Sequence, residues 1–165
     1  MTKDERYRVC PAEHAGALDI KIRRLLHNPQ KILKRYISNG MKVLDLGCGP
    51  GFFTIDIAKM AGSTGKVVGA DLQDAMLEKL GRKIQAFNLE NIIRLHKCRN
   101  EKINLFEKFD FILIFYMLHE VPDKVEFLKE VKKRAFFTKP SVKKRMKMAK
   151  AIRRTQRAAS ASICA

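Results

Sequence analysis

The segment Val43 to Phe53, VLDLGCGPGFF, constrains the fold most. A short apolar run gives way to glycines at 47, 49 and 51, and a helical pattern begins at Thr54. Glycine admits positive φ and removes the Cβ that would strike a group lying against the main chain. A helix that starts after such a loop offers unpaired N–H groups to an electron-rich partner. Strand, bare loop and helix in that order predict a nucleotide-like ligand at the first crossover of a parallel sheet. The alternative is a tight turn with no ligand.

The rest of the chain carries the same alternation. The pattern predicts strands at Met41–Leu46, Lys66–Asp71, Ile92–His96 and Phe109–Tyr116. It predicts helices at Thr54–Ala61, at Asp74–Phe87 and after Pro122-Asp123, the last with Val125, Phe127, Leu128 and Val131 on one side. Residues 17–37 read as two short amphipathic pieces separated at Asn28-Pro29, because the residue before proline avoids the helical region. The fold class expected is α/β, a Rossmann-like, mostly parallel sheet with helices on both faces. The fourth strand, FDFILIFY, is continuously apolar, as a strand buried on both faces should be. In such sheets ligands bind beyond the C-terminal strand ends.

Two acids sharpen the ligand reading. Asp45 lies inside an otherwise apolar strand, where a carboxylate needs a partner. Asp71 ends the second strand, 20 residues after Gly51, where an acid can accept hydrogen bonds from ribose hydroxyls. Helix capping is its plainer role. The spacing is GxGxG rather than the dinucleotide GxGxxG, and no GxxxxGK[ST] occurs.

VLDLGCGPG, VVGADLQDAMLEKL and FDFILIFYMLHEV together resemble the class I S-adenosylmethionine-dependent methyltransferases, nearest to small-molecule enzymes of the ubiquinone/menaquinone-biosynthesis type. The resemblance implies S-adenosyl-L-methionine as cofactor and a small-molecule methyl acceptor. It implies Gly47, Gly49 and Gly51 along the methionine and ribose, Asp45 orienting the amino-acid part, Asp71 on the ribose hydroxyls and Leu72 on the adenine. Phe115 would sit beside the transferred methyl group. The family's acid near the end of the third strand is absent or displaced in Lys97-Cys98-Arg99-Asn100-Glu101, leaving Arg99 or Asn100 at that place. For a proton acceptor the candidates are Tyr116, His119 and Glu120, each with a plainer role: a packed ring, a helix cap and a solvated charge.

The 165 residues divide by charge into 1–133, a partial methyltransferase domain, and a basic tail, 134–165. Residues 131–165 contribute 12 of the 34 Lys and Arg and none of the 17 acids. The resemblance expects further strands here to complete a seven-stranded sheet, and this segment supplies no five-residue apolar run, with Ala135-Phe136-Phe137-Thr138 a faint remnant of such a strand. The tail reads as a truncated or rearranged terminus, as a solvated helix, or as an arm for RNA or another polyanion over residues 132–157. With the last arises a second functional reading, a catalytically deficient protein that binds cofactor or a polyanion. Loss of the closing strands would leave an unpaired sheet edge, which invites association.

No apolar run is long enough to span a bilayer, and the charged MTKDERYR start lacks a signal-peptide core, so a cytoplasmic location is expected. Cys10, Cys48, Cys98 and Cys164 show no metal-ligand spacing. Reduced thiols are expected in that compartment, with thiol chemistry at Cys48 or Cys98 as the alternative.

Overall fold

A computed structural model describes residues 27–99 and 103–135. Helix α1 (Pro29–Leu33) leads into β1 (Lys42–Leu46), α2 (Thr54–Ala61), β2 (Lys66–Asp71), α3 (Asp74–Ala86), β3 (Ile93–Lys97), β4 (Phe111–Ile114), a 3-10 turn (Leu118–Glu120) and α4 (Lys124–Arg134). The four strands form one sheet in the order β3-β2-β1-β4, with every pairing parallel. The chain steps from β1 outward to β2 and β3, then returns to the other side of β1. That reversal opens a crevice between β1 and β4 at their C-terminal ends.

Side chains alternate across the sheet with the strand period of two. Val43 and Val67 join Ile57, Leu80 and Ile84 on the face covered by α1, α2 and α3. Leu44, Leu46, Val68 and Ala70 join Phe109, Phe127 and Val131 on the face covered by α4. Helices therefore flank both faces.

Local chemistry sets the helix starts. Asn28 caps α1, its side-chain oxygen accepting from the N–H groups of Gln30 (3.0 Å) and Lys31 (3.2 Å), with Pro29 at the first helical position. Asp123 caps α4 by accepting from Glu126 N–H at 2.9 Å. Residues 17–26, the first expected amphipathic piece, lie outside the described residues.

Three expectations are corrected. β4 is four residues long, not eight, because Tyr116 turns the chain with φ 57°. Only Leu113 of β4 is buried, since β4 is the outer strand along its whole length among the described residues. In α4, Phe127 and Val131 are buried but Val125 is 66% exposed and Leu128 lies at the margin, so the inward face is one residue wide per turn.

After α4 the chain returns beside β4. Phe109 N–H donates to Arg134 O at 2.8 Å, and Ala135 pairs in parallel with Phe109. That contact is a single bridge at the last described residue. Residues 136–165, which include most of the basic segment 132–157, lie outside the described residues. Among the described residues no helix is long and apolar enough to cross a membrane.

Leu80 joins α3 to the sheet and is fully buried. Replacing it with Ala is expected to lower the unfolding free energy by about 2–5 kcal/mol in urea titrations, as for other buried leucines. A change within 0.5 kcal/mol would contradict this packing.

Candidate active site

The loop Gly47–Gly51 is fastened to the end of β2. Gly47 N–H (2.8 Å) and Cys48 N–H (3.0 Å) both donate to Ala70 O. Gly49 N–H donates to Asp71 Oδ2 and Gln73 N–H to Asp71 Oδ1, both at 2.9 Å. Cys98 N–H donates to Asp71 O at 2.9 Å, which ties in the exit of β3. The last two residues of β2 thereby hold three neighbouring crossovers in one arrangement.

The glycines of this loop all have positive φ, but for different neighbours. A Cβ on Gly51 would stand 2.5 Å from Leu80 Cδ1, so Gly51 allows the loop to seat on α3. A Cβ on Gly47 would meet Met117 Cγ at 2.6 Å. At Gly49 a Cβ would meet nothing within 4 Å. Gly49 is therefore bare toward open space, the condition for a ligand lying on the main chain.

That space is a cleft of about 160 Å³ at the switch point of the sheet. Gly47, Cys48 and Gly49 form its floor, with Asp71 and Leu72 from the end of β2. Cys98 and Ile103 line it from the β3 side, and Phe53, Phe115, Tyr116 and Met117 from the β1 and β4 side. Glu120, Val121 and Phe127 complete the wall under α4. Phe115 packs edge-on against Phe53 and Tyr116, with ring centroids 4.5 Å apart in each pair.

The sequence candidates fall into three groups. Gly47, Gly49, Asp71, Leu72, Phe115, Tyr116 and Glu120 line the cleft. Asp45 and Gly51 lie beneath it, in contact with the structure that supports the loop. Arg99 is exposed and outside the lining, while its neighbour Cys98 faces in. His119 is also outside the lining; its side chain is 71% exposed, with Nε2 at 3.7 Å from a Glu120 carboxylate oxygen. Asn100 falls outside the described residues.

Asp45 is 3% exposed and accepts from Thr54 Oγ1–H at 2.6 Å. In the sheet it stands opposite Gly69, where a Cβ would meet Leu80 Cδ2 at 2.8 Å and Thr54 Cγ2 at 3.3 Å. Burial pushes its carboxyl up to about 7; the Thr54 bond opposes the rise and the nearby Asp71 charge adds to it. Burial, with the charges of Asp45, Asp71 and Cys98, also raises the Cys48 thiol well above its ordinary value. Burial first, then the charges of Asp71 and Glu130, raise Cys98 to about 11. Both thiols stay protonated at neutral pH and act as apolar lining rather than nucleophiles. Both are free, and no group of metal-ligating side chains occurs among the described residues.

Gln73, Ile103 and Met117 line the cleft, and His27, outside the lining, contacts Tyr116; none was picked out from spacing. His27 reaches Tyr116 across 89 positions of sequence. Only tertiary contacts bring such residues in.

Two outcomes follow. Gly49→Ala and Gly51→Ala share the cost of a left-handed backbone, about 1–2 kcal/mol, but only Gly51→Ala also strikes a packed leucine. Gly51→Ala should therefore be the less stable of the two in denaturant titration, and equal stabilities would contradict the assigned contact. For Asp45 the folded pKa lies above the unfolded one, so its contribution to stability is greatest below about pH 4 and declines as pH rises toward and through 7. Asp45→Asn should remove that decline and exceed the parent in stability at pH 8 by roughly 2–4 kcal/mol; parallel pH profiles would contradict it.

A family profile described as a methyltransferase domain matches residues 37–159. The demethylmenaquinone methyltransferase of Staphylococcus aureus is 39% identical over 95 residues, covering 58% of this chain and 39% of the relative. That of Geobacillus stearothermophilus is 33% identical over 113 residues, covering 68% of this chain and 48% of the relative. The chain thus spans less than half the length of these curated relatives. A crystal structure of a SAM dependent methyltransferase from Aquifex aeolicus aligns with a TM-score of 0.72 at 33% identity, covering 77% of this chain and 68% of that one. Matched along most of its length, by sequence and by the parallel sheet with its cleft, the chain belongs to the methyltransferase-domain family.

Proposed function

We propose that this protein is an S-adenosylmethionine-dependent methyltransferase acting on a small, largely apolar acceptor. The observation that carries the reading is the pairing of Gly49, bare toward the cleft, with the Asp71 carboxylate beside it. A carboxylate offers about four acceptor positions. Gly49 and Gln73 use two in this structure, which leaves capacity for the two hydroxyls of a ribose. The residues present therefore fit an adenosyl group: Asp71 would hold the ribose, and Leu72, Cys98 and Ile103 would wall the base. When bound, the cofactor supplies an electrophilic methyl group on a positively charged sulfur.

The protein's own contribution is alignment and exclusion of water. Fixing donor and acceptor in one geometry supplies roughly 7–11 kcal/mol in favourable cases. Phe53, Phe115, Met117, Val121 and Phe127 give the remaining wall its apolar character. Asp45, poised near neutrality, would ionise in response to a cationic ligand above it and so favour the charged sulfonium form. The apolar wall and the relatives named for demethylmenaquinone support a quinone-type ring in its reduced, hydroxylated form as acceptor.

Calorimetric titration of the full chain tests the cofactor. Binding of S-adenosylmethionine and S-adenosylhomocysteine is expected in the micromolar range, near −8 kcal/mol, and Asp71→Asn should weaken both by about tenfold or more. No heat with folded protein would overturn the proposal.

A further inference from the structure

The rim of the cleft carries a polar pair that the cofactor does not require. Tyr116 follows β4 at the switch point with φ 57°, a backbone region disfavoured for an aromatic residue. Strain of that kind persists where surrounding contacts hold it, and such contacts are found here among the described residues. The ring packs edge-on against Phe115 at 4.5 Å and against His27 at 5.8 Å. The phenol oxygen lies 3.2 Å from His27 Nε2. His27 also packs against Phe115, with centroids 6.1 Å apart. The strained turn thus presents the phenol at the mouth of the cleft with its oxygen held by an imidazole.

The imidazole has a directional role available to it. His27 Nδ1 is buried and has no hydrogen-bond partner among the described residues, so Tyr116 is the polar group that fixes the ring. His119, the histidine nearer in sequence, faces solvent beside Glu120 and does not line the cleft. The other titratable groups on the cleft wall are Asp71, Glu120, Cys48 and Cys98. Asp71 is engaged with the glycine loop, burial keeps both thiols protonated, and Glu120 stands beside His119.

Resting on the methyltransferase reading above, we propose that Tyr116 binds the hydroxyl of the methyl acceptor and that His27 is the residue that positions it. The phenol is a polar contact beside the rings of Phe53 and Phe115, so the acceptor it fits is a hydroxylated planar ring. The proton path closes without another reagent. The acceptor's O–H proton passes to Tyr116 Oη as the phenol's own proton passes to His27 Nε2. The neutral imidazole becomes imidazolium, and the acceptor is left as the oxyanion, a better nucleophile than the alcohol. His27 Nε2 must then be the unprotonated nitrogen of the resting ring.

The test uses 1-naphthol as the hydroxylated ring and the full chain saturated with S-adenosylhomocysteine. Affinities for both ligands are measured by calorimetry between pH 5 and 8. The wild type should bind 1-naphthol, with affinity that falls as the His27 imidazole, followed by its NMR resonance, takes up a proton. Tyr116→Phe and His27→Phe should each weaken 1-naphthol about tenfold while S-adenosylhomocysteine affinity stays within about threefold, which also shows that both variants fold. His27→Gln keeps a hydrogen-bonding group near the phenol, so it should restore most of the affinity but lose the pH dependence. Undiminished 1-naphthol binding by Tyr116→Phe, or none by a wild type that binds S-adenosylhomocysteine, would overturn the proposal and leave the cofactor reading intact. A wild type that binds neither ligand would overturn both.

Discussion

The Asp71 carboxylate is the constraint around which the site is arranged. A buried carboxylate is costly unless donors surround it. Here the N–H groups of Gly49 and Gln73 meet its two oxygens, and charge-assisted bonds of that kind are stronger than neutral ones. Its backbone carbonyl accepts from Cys98, and the preceding carbonyl, of Ala70, accepts from Gly47 and Cys48. The exits of β1, β2 and β3 and the start of α3 are thereby fixed to one another through two consecutive residues. A ligand in the cleft meets a preformed surface rather than three independent loops.

Beneath that surface the sheet supplies the rigidity. Asp45 and Gly69 face each other across β1 and β2, and Thr54 from the first turn of α2 closes over the carboxylate. The two acids stand close enough for the Asp71 charge to raise Asp45 further. One carboxylate shapes the loop, and the other remains near the point of ionisation below it. The arrangement suits a cationic ligand, whose charge would relieve the repulsion. The outer rim is built differently. It comes from the turn after β4 and from α4, where rings rather than strand hydrogen bonds set the geometry.

Much of this was legible in the chain itself. The strand-to-loop-to-helix order around VLDLGCGPGFF located the cleft, and the helical pattern located α2 at Thr54–Ala61. Asp71 was legible as a cleft-lining residue because it ends the strand beside the glycine loop. The distinct duties of the glycines were not. Gly51 faces Leu80, 29 positions away, and Gly49 faces nothing, yet the sequence writes them alike. A similar limit applies after β3. Adjacent residues there face opposite ways, so Cys98 lines the cleft while Arg99 is exposed. The early end of β4 escaped because FILIFY is apolar throughout, and the strain at Tyr116 leaves no mark in composition. Val125 and Leu128 were assigned to the buried side of α4, but the sheet reaches only Phe127 and Val131.

The most direct measurement is a crystal structure of the chain grown with S-adenosylhomocysteine. The account predicts the ribose hydroxyls within hydrogen-bond distance of the Asp71 carboxylate, the main chain at Gly49 in van der Waals contact with the ligand, and Asp45 still bonded to Thr54. A ligand bound away from Asp71, or a glycine loop detached from the end of β2, would contradict it.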